Sequence, residues 1–152
     1  MKSLLLLPAL LCLTFAGFSQ KMNPKYDSTL AKNLGADEYG MKMYVFVILK
    51  TGPVTIDDKA VRDSLFAGHM KNIQHLVDID KLVVAGPMGK NDKSYRGIFI
   101  LDVATFEEAS QLMEGDPAIQ QKLLEPELFK WYGSAALPVY LEASEKVGKY
   151  GF

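Results

Sequence analysis

The sequence predicts an α+β fold, and three observations predict it. Met41 to Lys50, Leu82 to Ala85 and Ile98 to Leu101 are runs of β-branched, aromatic and aliphatic residues bounded by Gly, Pro or polar turns, the pattern of strands. Segments with helical periodicity follow the first and the third of these runs. The strand segments carry apolar residues at both odd and even positions, so each is expected to be covered on both faces.

The first residues are not read as part of that fold. Met1-Lys2 is a short positive stretch, Leu4 to Phe15 is apolar, and Gly17-Phe18-Ser19 places small residues at the −3 and −1 positions of a cleavage before Gln20. Residues 1–19 are therefore expected to be a secretory signal peptide and the protein to be secreted or periplasmic. The apolar run is shorter than the ~20 residues of a spanning helix, and no other segment approaches that length, so no membrane span is expected. The single cysteine, Cys12, lies in this peptide. Leu11 stands before it, where a lipid-modified cysteine needs a small residue, so no lipid anchor is expected. A processed chain without cysteine has to be held by an ordinary hydrophobic core.

Roughly 130 residues remain, enough for one domain. Removing Lys2 from the 17 basic residues leaves 16 against 18 acidic ones, a net charge of −2. That near-balance, with no Lys/Arg cluster, argues against a nucleic-acid partner, because neutralising phosphates requires a concentrated basic surface.

Residues 20–40 read as a polar N-terminal arm with a short helix at Leu30, Ala31 and Leu34 that ends at Gly35. Met41 to Lys50 is the first strand, with Met43, Val45, Val47 and Leu49 on one face and Tyr44, Phe46 and Ile48 on the other. Asp57-Asp58 opens a helix at the end where the dipole favours acids. Its expected apolar stripe is Val61, Leu65, Ile73, Leu76 and Ile79, all within roughly 120° of arc. Asp78 to Lys81 turns into the second strand, which closes at Ala85-Gly86-Pro87. Met88 to Ser94 is a polar loop, and Tyr95 to Val103 is the third strand. Thr105 and Glu108 form a capping box for a helix carrying Phe106, Ala109, Leu112 and Met113, which ends at Gly115. A short helix, Ala118 to Leu124, and a last strand, Glu127 to Trp131, complete a βαββαβ order. That order is the ferredoxin-like sandwich, with helices on one face of an antiparallel sheet. It spans residues 41–137, and residues 138–152 form a C-terminal helix, Pro138 to Val147, and tail. This helix is expected to lie over a partner subunit. Two main helices cover one face of the sheet only, so a homodimer that buries the other face is expected.

His69 is the residue that stands out. It lies within the apolar stripe, four residues after Leu65 and four before Ile73, so its imidazole faces whatever the helix packs against. A core histidine bonded to a carbonyl is the plain structural reading; a base lining a cavity is the functional one. His75 projects about 100° from the stripe's centre and has no assigned role. Asp116, between Gly115 and Pro117, has the residues of a helix start, and its carboxylate is also a candidate to orient His69. Arg96 is a strand-end charge or a clamp for a carboxylate or enolate oxygen. Trp131 and Tyr132 are core aromatics or the lining of an apolar pocket. No metal-ligand spacing, nucleophile elbow, P-loop or dinucleotide fingerprint is present, so no metal and no tightly bound cofactor are expected.

Four stretches read together, GHMKNIQHLVDIDKLVVAGP, YRGIFIL, FEEASQLMEGDPAI and WYGSAALP, resemble the YciI-like, or YCII-related, family of small dimeric α/β-barrel proteins. The likeness covers Met41 to Leu137. It implies a ferredoxin-like unit whose sheet packs face to face with a second subunit. It also implies a His and Asp pair in a pocket, which falls on His69 and Asp116, and it matches Arg96 to a position of one subgroup. That subgroup has His-Pro before WYG, where this chain has Phe129 and Lys130. Dehydrohalogenation of a hydroxylated chloroaromatic is attributed to one branch. The resemblance thus implies a small-molecule lyase or isomerase with His69 as general base and Asp116 as its orienting carboxylate. The alternative is a non-catalytic periplasmic ligand-binding or interaction module of the same fold, which the departure at Phe129-Lys130 favours.

Overall fold

The protein is described by a computed structural model over residues 22–149. The expected signal peptide, residues 1–19, lies outside the described residues. The elements are α1 (Ser28–Asn33), β1 (Met41–Thr51), α2 (Lys59–Asp78), β2 (Leu82–Pro87), β3 (Tyr95–Leu101), α3 (Phe106–Met113), α4 (Pro117–Gln120), β4 (Leu124–Ser134), a 3-10 turn (Leu137–Tyr140) and α5 (Leu141–Val147). The four strands form one sheet in the order β2-β3-β1-β4, with every neighbouring pair antiparallel. Strand β3 sits between β1 and β2, which α2 connects. This is the split βαβ arrangement of a ferredoxin-like α+β sandwich.

Local chemistry sets the element ends. The Asp58 side chain accepts from the N–H groups of Ala60 and Val61 and starts α2. Such a cap contributes about 1 kcal/mol. Thr105 and Glu108 make the reciprocal capping box of α3. The last strand is longer than the sequence indicates, beginning at Leu124 instead of Glu127 and running to Ser134. Its early start follows from α4, which closes after four residues. Lys122 then takes a left-handed φ of 56° and turns the chain into the sheet. Gly52 is required beside that turn, because a Cβ there would lie 2.0 Å from the Lys122 carbonyl oxygen. Pro126 is tolerated because β4 is an edge strand.

The core lies between the sheet and the helices. Val45, Val47 and Leu49 of β1 and Phe99 and Leu101 of β3 meet Leu76, Ala109, Met113 and Ala118. On the opposite face Phe46, Ile48, Ile98 and Ile100 are half-buried, and Phe129 and Trp131 are 41% and 37% exposed. Tyr44 on that face is fully buried, with its ring 5.6 Å from Trp131 and its hydroxyl donating to the Ser134 carbonyl at 2.8 Å.

The buried stripe of α2 is shifted from the expected one. Val61 and Ile79 are 47% and 40% exposed, whereas Asn72 is buried and Phe66 and Val77 pack against the core. At about 100° per residue Phe66 and Val77 lie beyond Ile73, on the far side of the stripe from Val61 and Ile79. They draw its centre toward His69. At the N-terminal end, Tyr132 donates from its hydroxyl to Asp37, whose other oxygen accepts from the N–H groups of Tyr39 and Met41. The arm is thereby tied to the ends of β1 and β4. The C-terminal segment folds onto its own chain, with the Tyr140 hydroxyl donating to the Val83 carbonyl.

Candidate active site

Residue 68 decides the geometry of the site. Glycine inside a helix costs about 1 kcal/mol relative to alanine. At Gly68 that cost is offset by close approach, since a Cβ there would lie 2.6 Å from Cγ of Pro117. The start of α4 can therefore rest directly on α2. Asp116, immediately before Pro117, is brought beside His69, immediately after Gly68.

Asp116 is fully buried. Its Oδ1 accepts from the N–H groups of Ala118 at 2.9 Å and Ile119 at 3.3 Å, which caps α4. Its Oδ2 lies 2.5 Å from Nδ1 of His69. A carboxylate oxygen that accepts at this contact selects the tautomer with the proton on Nδ1, and in the neutral ring of that tautomer Nε2 is the acceptor nitrogen. Nε2 makes no hydrogen bond within the described residues and is not sealed from solvent. The ring is held by two aromatics. Phe99 stacks on it with centroids 6.0 Å apart and planes at 22°, and Phe66 meets it edge-on at 6.3 Å and 88°.

His69 lines a cavity of about 400 Å³ with mostly apolar walls, including Leu49, Phe66, Ile73, Phe99 and Leu124. Arg96 is the one cation in its lining. Simple alternation would put Arg96 on the face of Ile98, away from the helices. The ladder slips here instead: Leu49 pairs with Gly97 and Lys50 with Tyr95, leaving Arg96 unpaired on β1. A bulge of this kind re-aims a side chain. The Arg96 guanidinium is exposed and makes no ion pair or hydrogen bond within the described residues.

The structure thus joins His69 to Asp116 and puts Arg96 on the lining of the same cavity as His69, and it does not bring Trp131 or Tyr132 to them. Trp131 pairs with Tyr44 on the opposite sheet face, and Tyr132 pairs with Met43 near the far end of β1 from Leu49. Strand alternation accounts for the first displacement and position along the strand for the second. His75 is exposed at the end of α2. Sequence reasoning missed Gly68, the two rings flanking His69, and Asn72. Asn72 is buried one helical turn after His69, and its Nδ2 is the only buried side-chain nitrogen or oxygen without a partner among the described residues. The i, i+3 spacing from His69 was the available signal. Among the described residues no group of three or more His, Cys, Asp or Glu could hold a metal ion.

Residues 43–131, more than half of the chain, match the YCII-related domain family. The chain belongs to that family. Among solved structures, it is similar to the 5-chloro-2-hydroxyhydroquinone dehydrochlorinase of Burkholderia phenoliruptrix, in complex with 2,5-dihydroxybenzoquinone. The similarity covers 57% of this chain and 92% of that chain, at 23% identity and a TM-score of 0.41. No match was found among curated proteins. His69, Arg96 and Asp116 all fall inside the YCII-related domain, whereas the C-terminal segment from Leu137 onward falls outside it.

Proposed function

We propose that this YCII-related protein is a lyase or isomerase acting on a small enolisable or phenolic molecule, with His69 as general base. The observation that carries this reading is the buried 2.5 Å contact between His69 Nδ1 and Asp116, which leaves Nε2 as a free acceptor in an apolar cavity. Nε2 takes the proton from a carbon next to a carbonyl, or from a phenolic oxygen. Asp116 stabilises the imidazolium that forms, and the Arg96 guanidinium faces the oxygen on which negative charge develops. In a lyase the electron pair then expels a leaving group from the neighbouring carbon. In an isomerase His69 returns the proton to a different carbon. The test is turnover of a panel of phenols and enol-lactones by the wild type and by His69→Ala. Loss of turnover with an unchanged fold supports the assignment. A sharp drop in melting temperature in His69→Ala, with no compound turned over by the wild type, makes His69 structural and overturns it.

A second reading is the ligand-binding module without chemistry that the Phe129-Lys130 departure raised. Phe129 lies on the open sheet face, and Lys130 sits 4.8 Å over the Phe106 ring, so neither lines the His69 cavity. Binding of panel compounds without conversion would select this reading.

We further propose that the protein is exported with cleavage before Gln20, which N-terminal sequencing of the secreted form would test. Two copies are proposed to join through the sheet face of Phe46, Ile48, Ile98 and Ile100, whose apolar exposure supports an isologous contact. Phe46→Asp should convert a dimer into a monomer in sedimentation; a wild type that sediments as a monomer at micromolar concentration refutes the pairing.

A further inference from the structure

The chain builds a second cavity next to the first, and it uses residues beyond the family's span to do so. This cavity, of about 220 Å³, lies between α2, the edge strand β2 and the C-terminal segment. Val77 and Leu82 line it from the core side and Leu141 from the C-terminal side, with Gln74, Ser144 and Glu145 contributing polar groups. Met70, Ile73 and Ala85 line both this cavity and the one containing His69. These three side chains form the boundary between them. Two are small or branched and fixed in place by strand and helix. The third, Met70, is 43% exposed and has the long unbranched thioether that adapts most readily to a changing neighbour.

The outer wall is anchored and not merely adjacent. The register slips between Leu82 and Val84, which leaves Val83 outside the ladder. Its carbonyl accepts from the Tyr140 hydroxyl. Burial raises the Tyr140 phenol above its ordinary range, so it remains a donor. The 3-10 turn and α5 are thereby fastened to the edge of the sheet at Val83.

Building on the reading of the His69 cavity as the reaction site, we propose that the second cavity is its distal subsite. It takes a neutral apolar substituent carried by the phenolic or enolisable head group that lies against His69. At native packing density, with roughly 27 Å³ of packed space per methylene, its volume holds an alkyl chain of up to about eight carbons. Glu145, exposed at the rim, disfavours a chain ending in a carboxylate.

The experiment is calorimetric titration of the full chain with 4-alkylphenols of increasing length, from methyl to pentyl. In the wild type, affinity should rise about two- to fourfold per added methylene. Ala85→Phe, at an exposed position on the boundary, should flatten that dependence to near zero. Ser144→Trp should flatten it from the C-terminal side, which keeps the test open if the first variant folds poorly. His69→Ala should weaken every member of the series by one common factor and leave the chain-length dependence intact. The subsite is overturned if the wild type shows no chain-length dependence, including no binding at millimolar concentration, or if both plugging variants keep the wild-type slope. If the slopes behave as expected while His69→Ala leaves affinity unchanged, the assignment of His69 fails and the subsite stands.

Discussion

Replacing Asp116 separates its two jobs, capping α4 and holding the proton on Nδ1 of His69. Asp116→Ala removes both. The cap contributes about 1 kcal/mol. A charge-assisted hydrogen bond of the kind made to His69 contributes about 1.5–3 kcal/mol, so the alanine variant should lose roughly 2.5–4 kcal/mol. Asp116→Asn keeps Oδ1 and with it the bonds from Ala118 and Ile119. Its NH2 would stand where Oδ2 meets the ring, and two donors would then face each other across 2.5 Å. The ring resolves this by moving its proton to Nε2, which makes Nδ1 the acceptor of a neutral hydrogen bond. The asparagine variant should therefore lose only about 1–2 kcal/mol, the difference between a charge-assisted and a neutral bond. At ~3–6 °C per kcal/mol for a domain of this size, melting should fall by about 3–12 °C for Asn and by about 8–24 °C for Ala. Long-range nitrogen–proton NMR reads the tautomer directly. Wild type should show Nδ1–H and Asp116→Asn should show Nε2–H, with any His69-dependent turnover down about 10²–10⁴-fold because the base is blocked. An asparagine variant that keeps the Nδ1–H tautomer, or that melts with the alanine variant, refutes this account of the pair.

Other substitutions test the surroundings. Gly68→Ala drives a Cβ to 2.6 Å from Pro117; overpacking of about 1–3 kcal/mol should outweigh the ~1 kcal/mol gain in helix propensity. Urea denaturation would show a net loss, and a net gain would mean that α2 and α4 separate without cost. Asn72→Leu removes the unpartnered Nδ2 and should leave stability unchanged or raise it by up to about 2 kcal/mol, whereas a loss beyond that shows the amide to be satisfied by bound water. The Tyr132 hydroxyl, and next the Met41 N–H, hold the Asp37 carboxyl below its ordinary 3.8. The tie of the arm to β4 should persist above that value and be lost as pH falls through the lowered one. Carboxyl carbon NMR should find the Asp37 titration moved upward in Tyr132→Phe. Burial, and then the charge of Asp102, push the Tyr44 phenol up to about 12. Its contribution to stability should be intact below pH ~10 and lost as pH rises toward the folded value, seen as alkaline unfolding that Tyr44→Phe shifts to higher pH.

The sequence alone determined what is local. Alternation in β1, the Asp58 cap, the capping box at Thr105 and the Asp-Pro start of α4 each depend on backbone geometry within a few residues, so the βαββαβ order was legible without coordinates. The inward face of His69 was legible for the same reason, because helical period fixes which side of α2 it occupies. Tertiary structure decided what His69 meets. Asp116 lies 47 residues away in the chain, and its approach depends on Pro117 fitting into the space that Gly68 leaves, a packing match between two helices that no periodicity encodes. Arg96 lines the cavity at the point where the β1–β3 register slips beside Leu49, and Trp131 and Tyr132 miss it because β4 pairs with β1 in a register that carries them to the opposite face and the far end. Helix and strand period follow from each residue's own dihedral angles. Register and the approach of helices follow from how side chains far apart in the chain fill space together.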